Sequence, residues 1–261
     1  MTPLTDLLTL SVVSHGHGAL LLRLLSDLHS QELMRGVRVL VTLNLQAESF
    51  DFVPFAGLEI EVIRNPEPRG FGANHNQAFQ RCTTEWFGIL NPDLRVSDGV
   101  FSRMLDQAKN QPAIGLMAPR VLNSAGGIED SLRENLTPWS ILKRVLDPQR
   151  QAESKASSDR FRWYAGMFYI VRSSDFRRLG GFDERYFLYC EDYDLCARMH
   201  LQGNELRHVP SATVVHDAQR DSHRSSAHLR RHLASLLRVW CSTPVWRIAM
   251  QQRSRTRLDL T

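Results

Sequence analysis

The chain has 261 residues, of which 43% are hydrophobic, and its formal net charge is +4. This length allows one large domain or two small ones, and a chain of this size folds without disulfides or a structural metal. No apolar run approaches the ~18 residues of a membrane-spanning helix, and residues 1–14 lack the basic start of a secretory signal. The small charge gives no indication of a nucleic-acid partner, and the four cysteines lack CxxC spacing. We expect reduced thiols in a cytoplasmic protein.

Strand-like and helix-like segments alternate along the first half of the chain. Strands are predicted over 8–14, 37–43, 58–63, 85–90, 113–118 and 212–216, and regular structure is predicted to resume at 161–171. Helices are predicted over 17–31, 71–81, 98–109, 191–202 and 225–240. The stretch 133–160 contains two prolines and then a polar, aperiodic run, which predicts a mobile loop. The alternation indicates an α/β fold in which a mostly parallel sheet has helices on its faces and ligands at the carboxyl ends of its strands.

Two residues that follow or end predicted strands are candidate metal ligands. Asp93 lies in an Asn-Pro-Asp sequence directly after the strand 85–90, and His216 ends the strand 212–216. A carboxylate is a hard oxygen ligand for Mg²⁺ or Mn²⁺, and an imidazole can complete a site begun by a distant aspartate. The alternatives are a turn-capping aspartate and a structural histidine.

A glycine-rich sequence, Arg69-Gly70-Phe71-Gly72-Ala73-Asn74, opens the helix 71–81. It holds the first two glycines of a dinucleotide fingerprint, and Asp93 follows about 20 residues later, as in an NAD-linked oxidoreductase. Two prolines separate these glycines from the preceding strand, however, and Asn74 replaces the third glycine. The fingerprint is therefore weakly matched, although such a turn at a helix N-terminus still suits a nucleotide or phosphate.

The acidic pair Glu191-Asp192 follows an aromatic stretch, Tyr186-Phe187-Leu188-Tyr189. An apolar wall can raise the pKa of a carboxyl group towards the range of a general base. The alternative is that these acids only favour the N-terminus of a helix. Asp194, two residues on, is placed to pair with Arg198 at i,i+4.

Together these motifs resemble the family 2 glycosyltransferases, in particular their bacterial rhamnosyltransferase-like branch, from about residue 9 to residue 217. The opening SVVSH, the run from Asn65 to Asn76, and the sequence Leu90-Asn91-Pro92-Asp93 are similar to motifs of that family. The most specific match is the stretch GMFYIVRSSDFRRLGGFDERYFLYCEDYDLCARMHLQGNELRHVPSATVVH, which follows the family pattern in order and spacing.

The resemblance implies a GT-A fold, a nucleotide-sugar donor, a divalent Mg²⁺ or Mn²⁺ ion and inversion at the anomeric carbon. Asp192 would be the general base, supported by Glu191, and Asp93 and His216 would hold the metal. The remaining residues that the resemblance places at the donor and acceptor pocket are His15, Asn65, Gly70, Gly72, Asn74, Asn91, Gly166 and Asp183. In two places the chain departs from the family: Leu43-Asn44 replaces the usual Asp-Asn pair, and Gly16 stands where an asparagine is usual.

We therefore expect an inverting glycosyltransferase of cell-surface polysaccharide or lipopolysaccharide synthesis. The donor would be dTDP-rhamnose, supplying L-rhamnose, or a UDP-sugar supplying a hexose, and the acceptor a saccharide or lipid-linked saccharide. A catalytically degenerate GT-A module that binds nucleotide is one alternative, motivated by the altered Asp-Asn pair, and an NAD-linked oxidoreductase is another. The catalytic domain is predicted over 1–219, with a donor half over 1–118 and an acceptor half over 119–219.

Residues 220–261 form a predicted basic helical extension with nine arginines against one acid between residues 220 and 257. One stripe of the helix 225–240 contains Leu229, Leu233, Leu236, Leu237 and Trp240. A basic amphipathic helix with a tryptophan can lie on the anionic inner face of the cell membrane, or its stripe can pack on the catalytic domain. Both alternatives stay open from the sequence.

Overall fold

The computed structural model describes residues 3–146, 161–217 and 226–258. Its strands are β1 Leu8–Ser14, β2 Arg38–Leu43, β3 Glu59–Arg64, β4 Trp86–Leu90, β5 Leu94–Val96, β6 Ile114–Asn123, β7 Leu132–Glu134, β8 Arg162–Tyr164, β9 Phe168–Arg172 and β10 Glu205–His216. Its helices are α1 Leu4–Leu7, α2 Gly18–His29, α3 Phe71–Phe79, α4 Val100–Ala108, α5 Pro138–Leu146, α6 Ser173–Arg178, α7 Glu191–Leu201, α8 Ser226–Trp240 and α9 Thr243–Leu258. Two short 3-10 turns cover Glu32–Met34 and Val53–Phe55.

Eight of the strands form one sheet in the order β3-β2-β1-β4-β9-β6-β10-β5, and β7 and β8 form a separate hairpin. The first four strands are parallel, as are β6 and β10. Strands β9 and β5 run antiparallel to their neighbours. The predicted α/β fold with a mostly parallel sheet is confirmed.

The sheet is buried on both faces, which is why its central strands are nearly continuous apolar runs. Every residue of β4 is buried, and β1 and β2 are buried at all but one position each. On one face the core is closed by α2 and α4, and on the other by α3, α6, α7 and α9. Among the described residues, no helix is both long enough and apolar enough to cross a membrane.

The structure refines one prediction about the second half of the chain and corrects another. The segment 161–171, where regular structure was predicted to resume, is two strands, β8 and β9, separated by a turn at 165–167. The predicted loop 133–160 begins with β7 and α5, and residues 147–160 lie outside the described residues. Pro138 does not prevent the helix, because it occupies the first helical position. A backbone N–H at that position makes no hydrogen bond within the helix, so its absence in proline costs none.

The C-terminal extension forms two helices, α8 and α9, rather than one. Its predicted apolar stripe is split between the core and the surface. Leu236 and Trp240 pack against the core beside the buried Val239, whereas three leucines of the stripe point into solvent. These exposed residues are Leu229, Leu233 and Leu237. Packing on the catalytic domain therefore accounts for one side of α8 only.

Candidate active site

Backbone pairing brings Asp93 and His216 together although 123 positions separate them. Strand β5 begins just after Asp93 and runs antiparallel to the end of β10, with Leu94 opposite His216. The N–H of Asp217 also donates to the carbonyl of Asp93 at 2.8 Å. As a result, Nε2 of His216 lies 3.1 Å from Oδ2 of Asp93 at the carboxyl edge of the sheet.

This pair retains unused ligand atoms. Oδ1 of Asp93 and Nδ1 of His216 are buried, and neither has a hydrogen-bond partner among the described residues. Burial alone would lower the pKa of His216, but the hydrogen bond and charge of Asp93 outweigh it, so this pKa is raised. Carboxylate oxygen and imidazole nitrogen are suitable ligands for Mn²⁺ or Mg²⁺. In the described part of the chain, no cluster of three or more histidine, cysteine, aspartate or glutamate side chains exists that could hold a metal ion.

The acidic pair occupies the first turn of α7. Tyr189 and Cys190, which precede it, have φ of 72° and 66°, a left-handed conformation that is rare for residues other than glycine. Such strain is concentrated at functional sites, where surrounding structure enforces it. Here the two residues turn the chain so that the helix starts at Glu191 with both carboxyl groups in its first turn.

The two carboxyl groups are held differently. Asp192 is half-buried, and its carboxylate accepts the N–H of Gly166 at 2.9 Å and the N–H of Tyr193 at 2.8 Å. Glu191 is buried, and its Oε2 has no partner in the described structure. Burial raises the pKa of Asp192, although the two N–H donors oppose the shift. Burial and the neighbouring Asp192 charge hold the pKa of Glu191 well above its ordinary value.

The turn between β8 and β9 connects the metal-ligand pair to the acidic pair. Gly166, in this turn, donates to Asp192, and the carbonyl of Met167 accepts the N–H of Asn91 at 2.9 Å. Asn91 lies two residues before Asp93. Residues from β4, β9, β10 and α7 are therefore joined along one edge of the sheet, where ligands of open α/β sheets bind.

The glycines of the predicted nucleotide turn serve close packing. A Cβ on Gly70 would lie 2.6 Å from the carbonyl oxygen of Phe187, and a Cβ on Gly72 would lie 2.6 Å from Cβ of Phe182. The N–H of Phe71 donates to that same Phe187 carbonyl at 2.9 Å. The glycines thus bring the start of α3 against the segment that leads into the acidic pair.

Three buried asparagines form a hydrogen-bonded network at the ends of β2 and β3. Nδ2 of Asn65 donates to Asn44 at 2.8 Å and to Asn74 at 2.6 Å, and Asn44 also accepts the N–H of Arg69 at 2.8 Å. Nδ1 of the largely exposed His15 lies 3.1 Å from Nδ2 of Asn44, and the partial burial of the ring lowers the pKa of His15. Sequence reasoning placed Asn65, Asn74 and His15 at the pocket, and the structure brings them together at this edge.

Asp183 and its GGFD turn have mainly structural contacts. Asp183 pairs with Arg185 at 2.6 Å. Arg198, bonded to Asp194 at 2.7 Å as predicted, also donates to the carbonyl of Gly181 at 2.9 Å. Asn76 holds Phe182, accepting its N–H and donating to its carbonyl, both at 2.9 Å.

Two residues near the acidic pair were missed from the sequence. Arg133 lies on β7, and its charge lowers the pKa of Asp192. Asn135 accepts the hydroxyl of Tyr193 at 2.5 Å and donates to the carbonyl of Val245 at 3.2 Å. Both fall in the stretch predicted as a loop, and no spacing pattern marked them.

Comparison with known proteins identifies the fold and the family. The sequence model of Glycosyl transferase family 2 matches residues 44–174. An N-acetylglucosaminyl-diphospho-decaprenol L-rhamnosyltransferase of Mycobacterium tuberculosis is 30% identical over 258 residues, covering 88% of this chain and 82% of that protein. Rhamnosyltransferase WbbL of Escherichia coli is 28% identical over 242 residues, covering 87% of this chain and 90% of that protein.

Solved structures share the fold at low sequence identity. The mannosyltransferase PcManGT from Pyrobaculum calidifontis, in complex with GDP-Man and Mn²⁺, has a TM-score of 0.59 at 20% identity, covering 88% of this chain and 64% of that chain. GalNAc-T7 with UDP, GalNAc and Mn²⁺ has a TM-score of 0.65 at 14% identity, covering 90% of this chain and 47% of that chain. This chain spans less than two thirds of either structure. The fold is GT-A, and the chain belongs to glycosyl transferase family 2.

Proposed function

We propose that this chain is a metal-dependent, inverting glycosyltransferase that moves L-rhamnose from dTDP-rhamnose, or a hexose from a UDP-sugar, to a lipid-linked saccharide. The observation that carries the proposal is the pairing of Asp93 with His216 at the sheet edge that also holds Asp192. Family membership removes the NAD-linked alternative, and retention of all three residues favours catalysis over a degenerate binding module.

On the donor side, Asp93 and His216 would hold Mg²⁺ or Mn²⁺ through a carboxylate oxygen and an imidazole nitrogen. When bound, such an ion supplies positive charge to the diphosphate of the leaving nucleotide. Because Mg²⁺ commonly keeps several waters and binds through one or two carboxylates plus substrate phosphates, a two-residue protein site is chemically sufficient. The backbone pairing of β5 with β10 sets the positions from which these two side chains project.

On the acceptor side, Asp192 takes the proton of the attacking sugar hydroxyl. Each of its oxygens accepts one backbone N–H and retains a further lone pair for that hydroxyl. Glu191 is more deeply buried, and burial together with the charge of Asp192 raises its pKa well above the ordinary value. The more accessible Asp192 is therefore the carboxyl group that we assign as the base.

The choice of sugar and acceptor follows the curated relatives. One of them is named for L-rhamnosyl transfer to N-acetylglucosaminyl-diphospho-decaprenol, and another is named as a rhamnosyltransferase. We extend this to the present chain as transfer to a polyprenyl-diphosphate saccharide at the cytoplasmic face of the membrane. Peripheral association with that face belongs to the same proposal.

A transfer assay tests the function directly. Purified protein is incubated with Mn²⁺, a short-chain polyprenyl-diphospho-GlcNAc and, separately, dTDP-L-rhamnose, UDP-glucose and GDP-mannose, and the product's anomeric configuration is determined by NMR. We expect transfer from one donor, with inversion, and loss of turnover when the metal is chelated. Thermal stabilisation by donors without any transfer would instead support the degenerate module, since a ligand at 100 Kd adds about 2.7 kcal/mol.

A further inference from the structure

Exposed apolar side chains are concentrated on three helices. Among the described residues, twelve large apolar side chains are exposed, and eight of them lie on α5, α8 and α9, with exposed fractions between 44% and 74%. They are Trp139, Leu142, Leu146, Leu229, Leu233, Leu237, Trp246 and Met250. We call these eight residues the apolar rows. Scattered single apolar residues are normal on a surface, whereas this concentration requires an explanation.

The apolar rows have helical spacing. Leu229, Leu233 and Leu237 follow one another at i+4 along α8, and Trp246 and Met250 do so on α9. Residues at this spacing lie on one face of a helix. The opposite sides of these helices are packed in the core, where Val239 and Ile248 are fully buried. The rows are therefore the outer faces of helices that are already docked.

Hydrogen bonds place the three helices next to one another. Nε1 of Trp240, at the end of α8, donates to the carbonyl of Leu136 at 2.9 Å, two residues before α5 begins. Asn135 donates to the carbonyl of Val245 in α9 at 3.2 Å. The start of α5 thus meets the junction between α8 and α9, and the apolar rows belong to one region of the molecule.

The same region is strongly basic. Residues 226–258 contain seven arginines and no aspartate or glutamate. Arg230, Arg231, Arg238 and Arg247 form no ion pair with any acid in the described part of the chain. Two copies of this surface would repel each other, whereas an anionic surface would be attracted. Apolar residues flanked by arginines are typical of helices that lie in the headgroup region of a bilayer.

We propose that α5, α8 and α9 form a docking surface for an anionic lipid bilayer. This inference deepens the proposed function, on which its biological meaning rests. Helix α8 also touches the active-site segment: Ser235 donates to the carbonyl of Leu188 at 3.0 Å, and the guanidinium of Arg231 lies 4.8 Å from the centre of the Phe187 ring. Three residues after Leu188 comes Glu191. A bilayer bound at α8 therefore lies beside the site that a lipid-linked acceptor must reach.

Vesicle co-sedimentation tests the proposal without requiring turnover. The full chain is mixed with phosphatidylcholine vesicles, with and without phosphatidylglycerol, at low and high salt. We expect binding only with phosphatidylglycerol, weakened by salt. Since each arginine near an anionic surface contributes about a fivefold factor, Arg230→Gln/Arg238→Gln/Arg247→Gln should weaken binding on the order of 100-fold. The variant Leu229→Ser/Leu233→Ser/Leu237→Ser should weaken it about tenfold or more.

Matched controls use exposed residues elsewhere on the surface. The controls remove exposed apolar or arginine side chains that lie outside the three helices: Leu33→Ser, Val53→Ser and Arg35→Gln. They should leave vesicle binding unchanged. Three outcomes would each overturn the proposal. The control and test variants could lose vesicle binding equally, or the protein could fail to bind anionic vesicles at low salt. Light scattering could also show a dimer held together by the apolar rows. Transfer to a water-soluble acceptor is measured in parallel: its absence together with intact vesicle binding would refute the proposed function and leave the docking surface standing.

Discussion

Replacing Asp192 by asparagine separates the chemistry of the acidic pair from its structural role. The amide keeps the size and shape of the carboxylate but cannot take a proton from a sugar hydroxyl. One of its atoms, the carbonyl oxygen, can still accept the N–H of Gly166, 2.9 Å from the present carboxylate. The NH₂ group would then face the N–H of Tyr193, so one hydrogen bond is lost.

These contacts set the expected magnitudes. Loss of a general base costs about 10²–10⁴ in rate, which corresponds to about 3–5 kcal/mol of activation free energy. Loss of one buried hydrogen bond costs about 1–3 kcal/mol of folding free energy. Removal of a buried charge offsets part of that cost, because burial raises the pKa of Asp192 and so disfavours its charged form. We expect kcat to fall by at least about 100-fold while the free energy of unfolding changes by less than ~2 kcal/mol.

The assay measures kcat in the transfer reaction, donor affinity by calorimetry and stability by denaturant titration. The matched control is Asp194→Asn, two residues further along the same helix. Asp194 is buried and bonds Arg198 at 2.7 Å, so this change should reduce stability and leave kcat within a few-fold of the parent. Near-normal turnover in Asp192→Asn, or equal losses of kcat in both variants, would refute the assignment of Asp192 as base.

Four further substitutions test other parts of the site. Asp93→Asn should abolish the Mn²⁺-dependent part of donor affinity, and His216→Ala should reduce that part less. If calorimetry shows a donor affinity that depends on neither Mn²⁺ nor Asp93, the metal site is contradicted. The raised pKa of Glu191 contributes stability that is present at low pH and is lost as the pH rises through that pKa. Glu191→Gln removes this loss, so the variant should become more stable than the parent as the pH rises above about 4, which thermal melts across pH would measure. Gly72→Ala should lower the free energy of unfolding by about 1–3 kcal/mol in denaturant titration, since its Cβ would meet Phe182, and an unchanged midpoint would argue against that contact.

The regular elements of the sheet could be predicted because buried strands appear in the sequence as short apolar runs. The observed β1 has the predicted limits, β2 and β4 each begin one residue later than predicted, and β3 is shifted by one residue at both ends. The turn at 165–167 could not be located from the sequence, because FRWYAGMFYIV is apolar or aromatic apart from Arg162 and periodicity alone does not locate a break in such a run. Helix α5 was missed because Pro138 was taken as a breaker, although it stands at the helix start.

The candidate site, like the fold, could be predicted from the sequence only in part. The acids and His216 could be proposed from strand ends and from the family resemblance, but their pairing depends on β5 meeting β10, a contact between segments more than 100 residues apart. The left-handed Tyr189 and Cys190 carry no sequence signal, since glycine is the usual residue in that conformation. Their strain is visible only once the surrounding contacts that enforce it are known.

The two sides of the proposed reaction rest on parts of the fold that can vary separately. Asp93 and His216 are fixed by hydrogen bonds between strands, so the donor side inherits the rigidity of the sheet. Asp192 depends on the β8–β9 turn and on a segment that α8 contacts through Ser235. Changes in α8 should therefore alter acceptor use and membrane contact while leaving the metal-ligand pair intact. This arrangement would allow acceptor use to change without rebuilding the donor site, because the hydrogen bonds that position Asp93 and His216 are made by β5, β10 and the turn before β9.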